Sequence, residues 1–427
     1  MKTTTARKLK IFTPLSLFSL IIFFVSLHDG IISYISPIIL NNKYNDSFIV
    51  GLILAVSSTF GILFNFLIAK FFPKKDYRFF ILWMLVFALL TPLFYLLLPE
   101  KLIPFILIMI VWSIYYEFRN YSKYNFVDEF LPPQKNTEAW WIMSVFQSVA
   151  YMIGPILAFL LIRKSINSAL ICSVVIVIMS CITYVAFVKN YAKKKKGRGD
   201  YEIRSFFKGI KIINIIAKRI WPLVLFSCAL TLLDVSFWTI GVLYSEKLRA
   251  QTEIGGLFMT MYTLPFIFTG PIISKIHEPL GKKRTAFLTA ILAGLGLIGL
   301  GLSKNVYLTL AIVLITATFS DIAFVLIYAT FEDYVTRLDG EGNNLVSIEQ
   351  IAQNFAYAAG PVFLGYISRN GDFGLSFKIT GFILIAFSLL ALISVPRKIK
   401  MPHKQIAEEL KKGFTELKKD LNIEQKW

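Results

Sequence analysis

The chain has 427 residues, 56% of them hydrophobic and 17% charged, with a formal net charge of +19 and a mean hydropathy of +0.64. Soluble globular domains carry about 25% charged residues, and apolar runs of bilayer-spanning length recur here from end to end, so little room is left for a soluble fold. The basic surplus sits in short segments between apolar runs, which is the pattern of loops facing anionic lipid and not of a nucleic-acid-binding surface.

The chain opens on a basic segment (Lys2, Arg7, Lys8, Lys10) and an apolar run that continues past His28-Asp29 to Leu40. No A-x-A cleavage site follows, so the run reads as an uncleaved first span. Apolar windows predict twelve spans, at 12–40, 48–72, 79–98, 102–127, 139–162, 168–188, 221–244, 254–276, 285–303, 306–331, 345–368 and 374–395. Each is long enough to cross a bilayer as a helix. With both termini inside, the cytoplasmic segments hold 32 of the 45 Lys and Arg residues, the external segments 8 and the spans 5. That asymmetry sets the orientation by the positive-inside rule; Arg163 and Lys164, outside, run against it. Cys172, Cys181 and Cys228 all fall within spans and read as small core residues.

The connection between spans 6 and 7 is the most basic, with Lys193-Lys194-Lys195-Lys196 and Arg198. Its second part spaces Phe206, Phe207, Ile210, Ile213 and Ala217 as one helical face, which predicts a helix lying on the inner leaflet. The tail repeats the pattern with Ile406, Leu410, Phe414, Leu417 and Leu421. The organisation expected is a six-helix bundle over 1–190, a basic linker with a surface helix over 191–218, a second bundle over 219–396, and a basic cytoplasmic tail over 397–427.

The second half repeats the first at a spacing near 206 residues. Gln147-x-x-Ala150-Tyr151-x-x-Gly154-Pro155 recurs as Gln353-x-x-Ala356-Tyr357-x-x-Gly360-Pro361. Pro73 and Arg78 recur as Pro279 and Arg284. Asp29 in span 1 matches Asp234 in span 7, Glu117 in span 4 matches Asp321 in span 10, and Asp128-Glu129 matches Glu332-Asp333. Two copies in one orientation are parallel repeats related by an axis along the membrane normal.

On these residues the chain resembles the major facilitator superfamily. Asp128-Glu129-Phe130-Leu131-Pro132-Pro133 resembles the family's acidic, proline-containing loop after helix 4, and Gly154-Pro155 the core of its helix-5 motif G-x-x-x-G-P-x-x-G-G. Ala150 replaces the first glycine of that motif and Ala158-Phe159 the last two, and the loop Pro73–Arg78 lacks the family's glycines. The resemblance implies an all-α membrane protein of twelve transmembrane helices in two pseudo-symmetric six-helix bundles. It implies too that spans 1, 4, 7 and 10 line a central cavity while 3, 6, 9 and 12 face lipid.

The charges, read from the sequence alone, fall the same way. Spans 3, 6 and 9 hold no ionisable residue and span 12 only Lys378, whereas Asp29, Glu117 with Arg119, Asp234 and Asp321 lie in spans 1, 4, 7 and 10. A charge at membrane depth costs roughly 2.5–3.5 kcal/mol on insertion scales and faces a cavity or a partner. Glu117 and Arg119 are two apart and cannot face one another on a helix, so an interhelical partner such as Asp29 is expected for Arg119. Asp29 beside His28 is also compatible with a structural pair. Polar stripes on spans 5 and 11 (Ser144, Gln147, Ser148, Tyr151; Gln350, Gln353, Asn354, Tyr357) suit either substrate contact or interhelical hydrogen bonds. Asp128, Glu129, Glu332 and Asp333 are expected to hold a gate to basic loop residues or Lys123.

Four membrane-depth carboxylates against one arginine imply that at least one binds a proton near neutral pH. The expected function is a proton-coupled secondary carrier of a small organic solute, working by alternating access in the cell membrane. Asp29 is the first candidate for the coupling carboxylate, with Glu117 as its rival. The acid-rich cavity and degenerate motif favour antiport efflux of a cationic or amphipathic compound over uptake. A uniporter, or a solute-sensing receptor on a transporter scaffold, is the alternative. The sequence has no Walker loop, HExxH, metal-ligand cluster or nucleophile motif, which points away from enzymatic catalysis. The expected partners are substrate, protons and membrane lipids, with no cofactor or metal and with a monomeric chain.

Overall fold

The computed structural model describes residues 2–72, 75–130, 136–191, 206–269, 281–338 and 342–396. These segments are helical, and no strand occurs among the described residues. Spans 1 to 6 are Lys2–Tyr44, Ser47–Phe71, Tyr77–Leu97, Leu102–Phe130, Asn136–Ile162 and Ile166–Tyr191. Spans 9 to 12 are Lys282–Leu302, Val306–Leu338, Gly342–Ile367 and Phe373–Ser394. Two spans are irregular. Span 7 is α-helical over Phe206–Ser236, makes a π turn over Phe237–Gly241 and resumes over Val242–Gln251. Span 8 is broken into a 3₁₀ segment Glu253–Leu257, a short α-helix Phe258–Thr263 and a 3₁₀ segment Leu264–Ile267.

Among the described residues, ten helices are long and apolar enough to cross a membrane. Spans 8 and 11 do not meet that test. Span 8 is broken, and span 11 carries Glu349, Gln350, Gln353 and Asn354.

The structure differs from the expectation at 206–218. The stretch predicted to lie on the leaflet is the start of one helix that runs unbroken to Ser236. Nothing between Ile213 and Trp221 terminates a helix, so the apolar periodicity passes straight into the span. The helix of span 7 therefore starts at Phe206, and its candidate membrane-crossing part at Ile213. The basic run at 193–198 and the tail over 397–427 lie outside the described residues.

The two halves pack alike. Span 1 lies against 5 and 6, span 3 against 4 and 6, and span 2 against 4; span 7 lies against 11 and 12, span 9 against 10 and 12, and span 8 against 10. The later set is the earlier one advanced by six spans, so the sequence repeat is a structural repeat. Burial divides the helices in the same manner. In the most apolar window of span 1, 72% of residues are buried, and in that of span 7, 67%, against 28% in span 6. Span 6 turns Ile171, Val175, Ile178, Ile182 and Val185 outward, and span 12 turns out Phe382, Leu389 and Ile393. These are lipid-facing surfaces. Spans 9 and 12 approach closely where Gly294 meets Gly381 and Gly301 meets Gly374, since only a residue without Cβ fits there.

The halves meet most tightly at the end opposite the 192–205 connection. Arg369 Nε lies 2.9 Å from Asp46 Oδ2, and Arg163 lies 2.9 Å from Glu253, each pair joining one half to the other. Buried Tyr34 in span 1 donates to Glu246 in span 7 at 3.1 Å, and Glu246 also pairs with Arg249. Arg163, one of the two bases that run against the charge bias, thus has a cross-half acid. Spans 2 and 11 touch backbone to backbone, because a Cβ on Gly365 would stand 3.1 Å from the carbonyl carbon of Ser47 and one on Gly51 would stand 2.7 Å from that of Pro361. Gly365→Leu should overpack only the closed arrangement, at a cost of about 1–3 kcal/mol. Disulfide formation between Asp46→Cys and Arg369→Cys should then slow by roughly tenfold or more. An unchanged rate would mean that the contact does not hold this end shut.

Candidate functional site

A cavity of about 600 Å³ lies between the halves. Its wall comes from spans 1, 2, 4, 5, 7, 8 and 11. Glu117, Arg119, Asp234, Gln147, Gln353 and Asn354 all line it. Two expectations are corrected here. Asp29 and Asp321 are not in the wall, although both are buried, at 0% and 8% exposure. None of the described residues of span 10 is in this wall, although Tyr328 on span 10 accepts from the lining Gln353 at 3.4 Å.

In the first half, Asp29 is held from three sides. Its Oδ1 accepts from Trp112 Nε1 at 2.8 Å, and its Oδ2 accepts from Arg119 at 3.0 Å and from Tyr151 Oη at 2.5 Å. Arg119 also donates to Tyr151 Oη at 2.8 Å and lies over the Tyr116 ring, 4.5 Å from its centroid. The guanidinium is therefore tied through Nη1 to a buried pair, while its Nε has no hydrogen-bond partner among the described residues. His28 does not join it; its Nδ1 lies 2.6 Å from Ser173 Oγ on span 6, on the far side of the helix.

The second half repeats the clasp without the base. Both oxygens of Asp234 accept tyrosine hydroxyls, one from Tyr262 on span 8 and one from Tyr357 on span 11. Tyr357 is the repeat mate of Tyr151, so in each half a tyrosine one turn before Gly-Pro holds the carboxylate of the first helix. The motif works through helix crossing. A Cβ on Gly154 would stand 2.9 Å from Gly30 Cα, and one on Gly360 would stand 2.8 Å from Val235 Cγ1. Each glycine thus sits where its helix crosses the residue after the aspartate, and that close approach brings the tyrosine to the carboxylate. Asp321 lies within electrostatic reach of Asp234, and its Oδ2 has no hydrogen-bond partner among the described residues. Tyr151 and Trp238 meet edge to face at 5.9 Å, linking the two clasps across the cavity.

Glu117 stands apart on span 4. Its Oε2 accepts from Asn65 at 2.7 Å. Of the polar stripes, Ser144, Gln147, Ser148 and Tyr151 face the cavity, as do Gln353, Asn354 and Tyr357, while Gln350 does not line it. Lys123 donates to Gln147 at 3.4 Å, and Gln353 donates to Glu349 at 3.3 Å.

Of the gate acids, Asp333 pairs with Lys282 at 3.0 Å, joining span 10 to the start of span 9 within one half. Glu332 is exposed beside it. The side chains of Asp128 and Glu129 lie outside the described set. Sequence reading missed Trp112 and Tyr262. Trp112 stands in an uninterrupted apolar run, where an indole is as readily packed in lipid as hydrogen-bonded. Tyr262 follows a break in span 8 that the apolar pattern conceals.

The geometry agrees with what is found among known proteins. The model of the Major Facilitator Superfamily matches residues 18–343 and 226–425. No curated protein matches the chain in sequence. Among solved structures, a POT family transporter in complex with a thioalcohol-conjugated peptide is 14% identical, with a TM-score of 0.71 over 89% of this chain and 95% of that one. A bacterial homolog of the human lysosomal transporter Spinster, in an inward-facing and unoccupied conformation, is 14% identical, with a TM-score of 0.68 over 91% and 98%. The nucleoside transporter NupG is 11% identical, with a TM-score of 0.70 over 90% and 100%. At such identities the structural likeness speaks for the fold. Together with the family model, which covers most of the chain, it means that this membrane protein belongs to the Major Facilitator Superfamily.

Proposed function

We propose that the protein is a proton-coupled secondary carrier of a small organic solute, with both termini cytoplasmic in the cell membrane. The observation that carries this reading is the charge balance around the cavity. Arg119 compensates Asp29, while Asp234, Asp321 and Glu117 have no ion-pair partner among the described residues. Uncompensated carboxylates at membrane depth are expensive, and a proton is the smallest ligand that relieves them. In this orientation the end held by Asp46–Arg369 and Arg163–Glu253 faces outward, and those pairs hold the outer end shut. The coupling role passes from Asp29 to Asp234 and Asp321, because Asp29 already has a permanent counter-charge.

The test uses purified protein in proteoliposomes with an imposed pH gradient and a panel of labelled solutes. At least one solute should accumulate against its own gradient only while the pH gradient stands, and a protonophore should abolish that accumulation. Movement of a solute down its gradient alone, indifferent to the protonophore, would make the protein a uniporter. Saturable binding with no flux under any gradient would favour the receptor reading.

A further inference from the structure

Three charged side chains line the cavity, and they are not equivalent. Arg119 is neutralised by Asp29 and stacked on Tyr116. Asp234 has a tyrosine hydroxyl on each oxygen. Glu117 has one amide donor, on Oε2, and no base pairs with it among the described residues. Its other oxygen faces Gly61 on span 2. A Cβ on Gly61 would stand 3.4 Å from Glu117 Oε1 and 3.3 Å from Ser113 Oγ. Ser113 is 1% exposed, and its hydroxyl has no partner among the described residues. A carboxylate oxygen and an unsatisfied hydroxyl thus stand side by side in the cavity wall. Around the same cavity stand Trp112, Tyr116, Trp238 and Phe266. Aromatic faces attract cations through their quadrupoles and bury apolar bodies.

From this arrangement we infer that the substrate is an amphipathic organic monocation, its charged centre paired with Glu117 at the cavity wall and its apolar body packed against the aromatic wall. The inference rests on the carrier reading of the cavity and names the substrate class for it. An anion would meet two carboxylates and find the one guanidinium already paired. A zwitterion would need Arg119 to leave Asp29, which exposes a buried carboxylate.

The experiment measures equilibrium binding at fixed pH, with no gradient, on the full chain in lipid nanodiscs. The probes are labelled tetraphenylphosphonium and ethidium. The competitors are tetraphenylborate, which matches the first probe in shape with opposite charge, and a zwitterionic dipeptide. At least one cation should bind saturably, and neither competitor should displace it. Glu117→Gln should weaken binding by about tenfold or more, as expected for loss of one partner of a buried charge pair. Glu117→Asp should retain most of the affinity. Gly61→Leu should also weaken binding, by crowding Glu117 Oε1 and Ser113 Oγ without changing a charge, so that a misfolded Glu117→Gln would not leave the idea untested. Displacement by the dipeptide or tetraphenylborate, failure of both cations to bind, or wild-type affinity in both Glu117→Gln and Gly61→Leu would overturn the inference. Because no pH gradient is involved, failure of proton-driven transport would leave this result standing, and the reverse also holds.

Discussion

Asp29→Asn and Arg119→Met are each expected to destabilise the first half by about 3–5 kcal/mol, and the double variant to recover most of that loss. Asp29 is fully buried and Arg119 is 5% exposed. Removing either leaves the other charged in a place where water cannot solvate it. Removing both leaves only neutral donors, Trp112 Nε1 and Tyr151 Oη, facing a neutral amide. The coupling should therefore be strongly non-additive, as it is for groups in one hydrogen-bonded network. Tyr115 adds to the arrangement without replacing the charge: it accepts from Arg119 at 3.3 Å and donates to the Val25 carbonyl at 3.0 Å, pinning span 4 to span 1. Denaturation of purified single and double variants in mixed micelles gives the cycle directly. A double variant no more stable than the weaker single variant would mean that the pair is not the organising contact of this half. The same cycle bears on function. If Asp29 exists to hold Arg119, the refolded double variant should keep proton-dependent transport, whereas a coupling role for Asp29 would abolish it.

Much of this architecture was legible before any coordinates. Twelve apolar runs, the basic loops and the repeat near 206 residues lead to two bundles with spans 1 and 7 inside and 6 and 12 outside. This succeeds because a bilayer penalises every misplaced charge. The pairing of Arg119 with Asp29 was legible for the same reason: one membrane-depth base had few acids within reach. What was not legible is which buried group reaches the cavity. A helix period places Asp321 on an inner face, yet the cavity wall is drawn from spans 1, 2, 4, 5, 7, 8 and 11, and no periodicity records which neighbour stands nearer the axis. The irregular backbone was hidden too. The π turn over Phe237–Gly241 lies in apolar sequence with no proline, so composition there reads as a regular helix, whereas Gly255-Gly256 and Pro265 stand in the irregular segments of span 8. The start of span 7 was illegible for a different reason, because an amphipathic face suits a leaflet helix and the end of a span equally well.

Asp234→Asn should abolish uphill accumulation driven by a pH gradient while leaving downhill exchange of substrate intact, and Asp321→Asn should change its pH dependence. The repeat makes the case. At the shift that carries Glu117 to Asp321, Arg119 falls on Ala323 and Trp112 on Thr316. The second half therefore has the acids of the first without its base. In place of a guanidinium, Asp234 has two tyrosine hydroxyls, and the elements that supply them are the ones that touch the other half. Tyr262 belongs to span 8, which packs on span 5, and Tyr357 belongs to span 11, which packs on span 2. Hydrogen bonds to a carboxylate contribute about 1.5–3 kcal/mol each, and those to a neutral acid roughly half as much. A proton arriving at Asp234 would thus weaken two contacts by a total on the order of 2 kcal/mol, enough to shift a two-state balance by roughly thirtyfold. The backbone is suited to respond. Phe237, the first residue of the π turn, stacks on Tyr262 with centroids 3.9 Å apart, so a change at the tyrosine is felt where span 7 departs from α geometry. Such departures recur at functional sites. Transport into proteoliposomes, with and without a pH gradient, separates the outcomes. Wild-type accumulation in Asp234→Asn would remove this aspartate from coupling. Loss of downhill exchange as well would make Asp234 a structural or substrate-holding group, and the proton site would then have to be sought at Asp321.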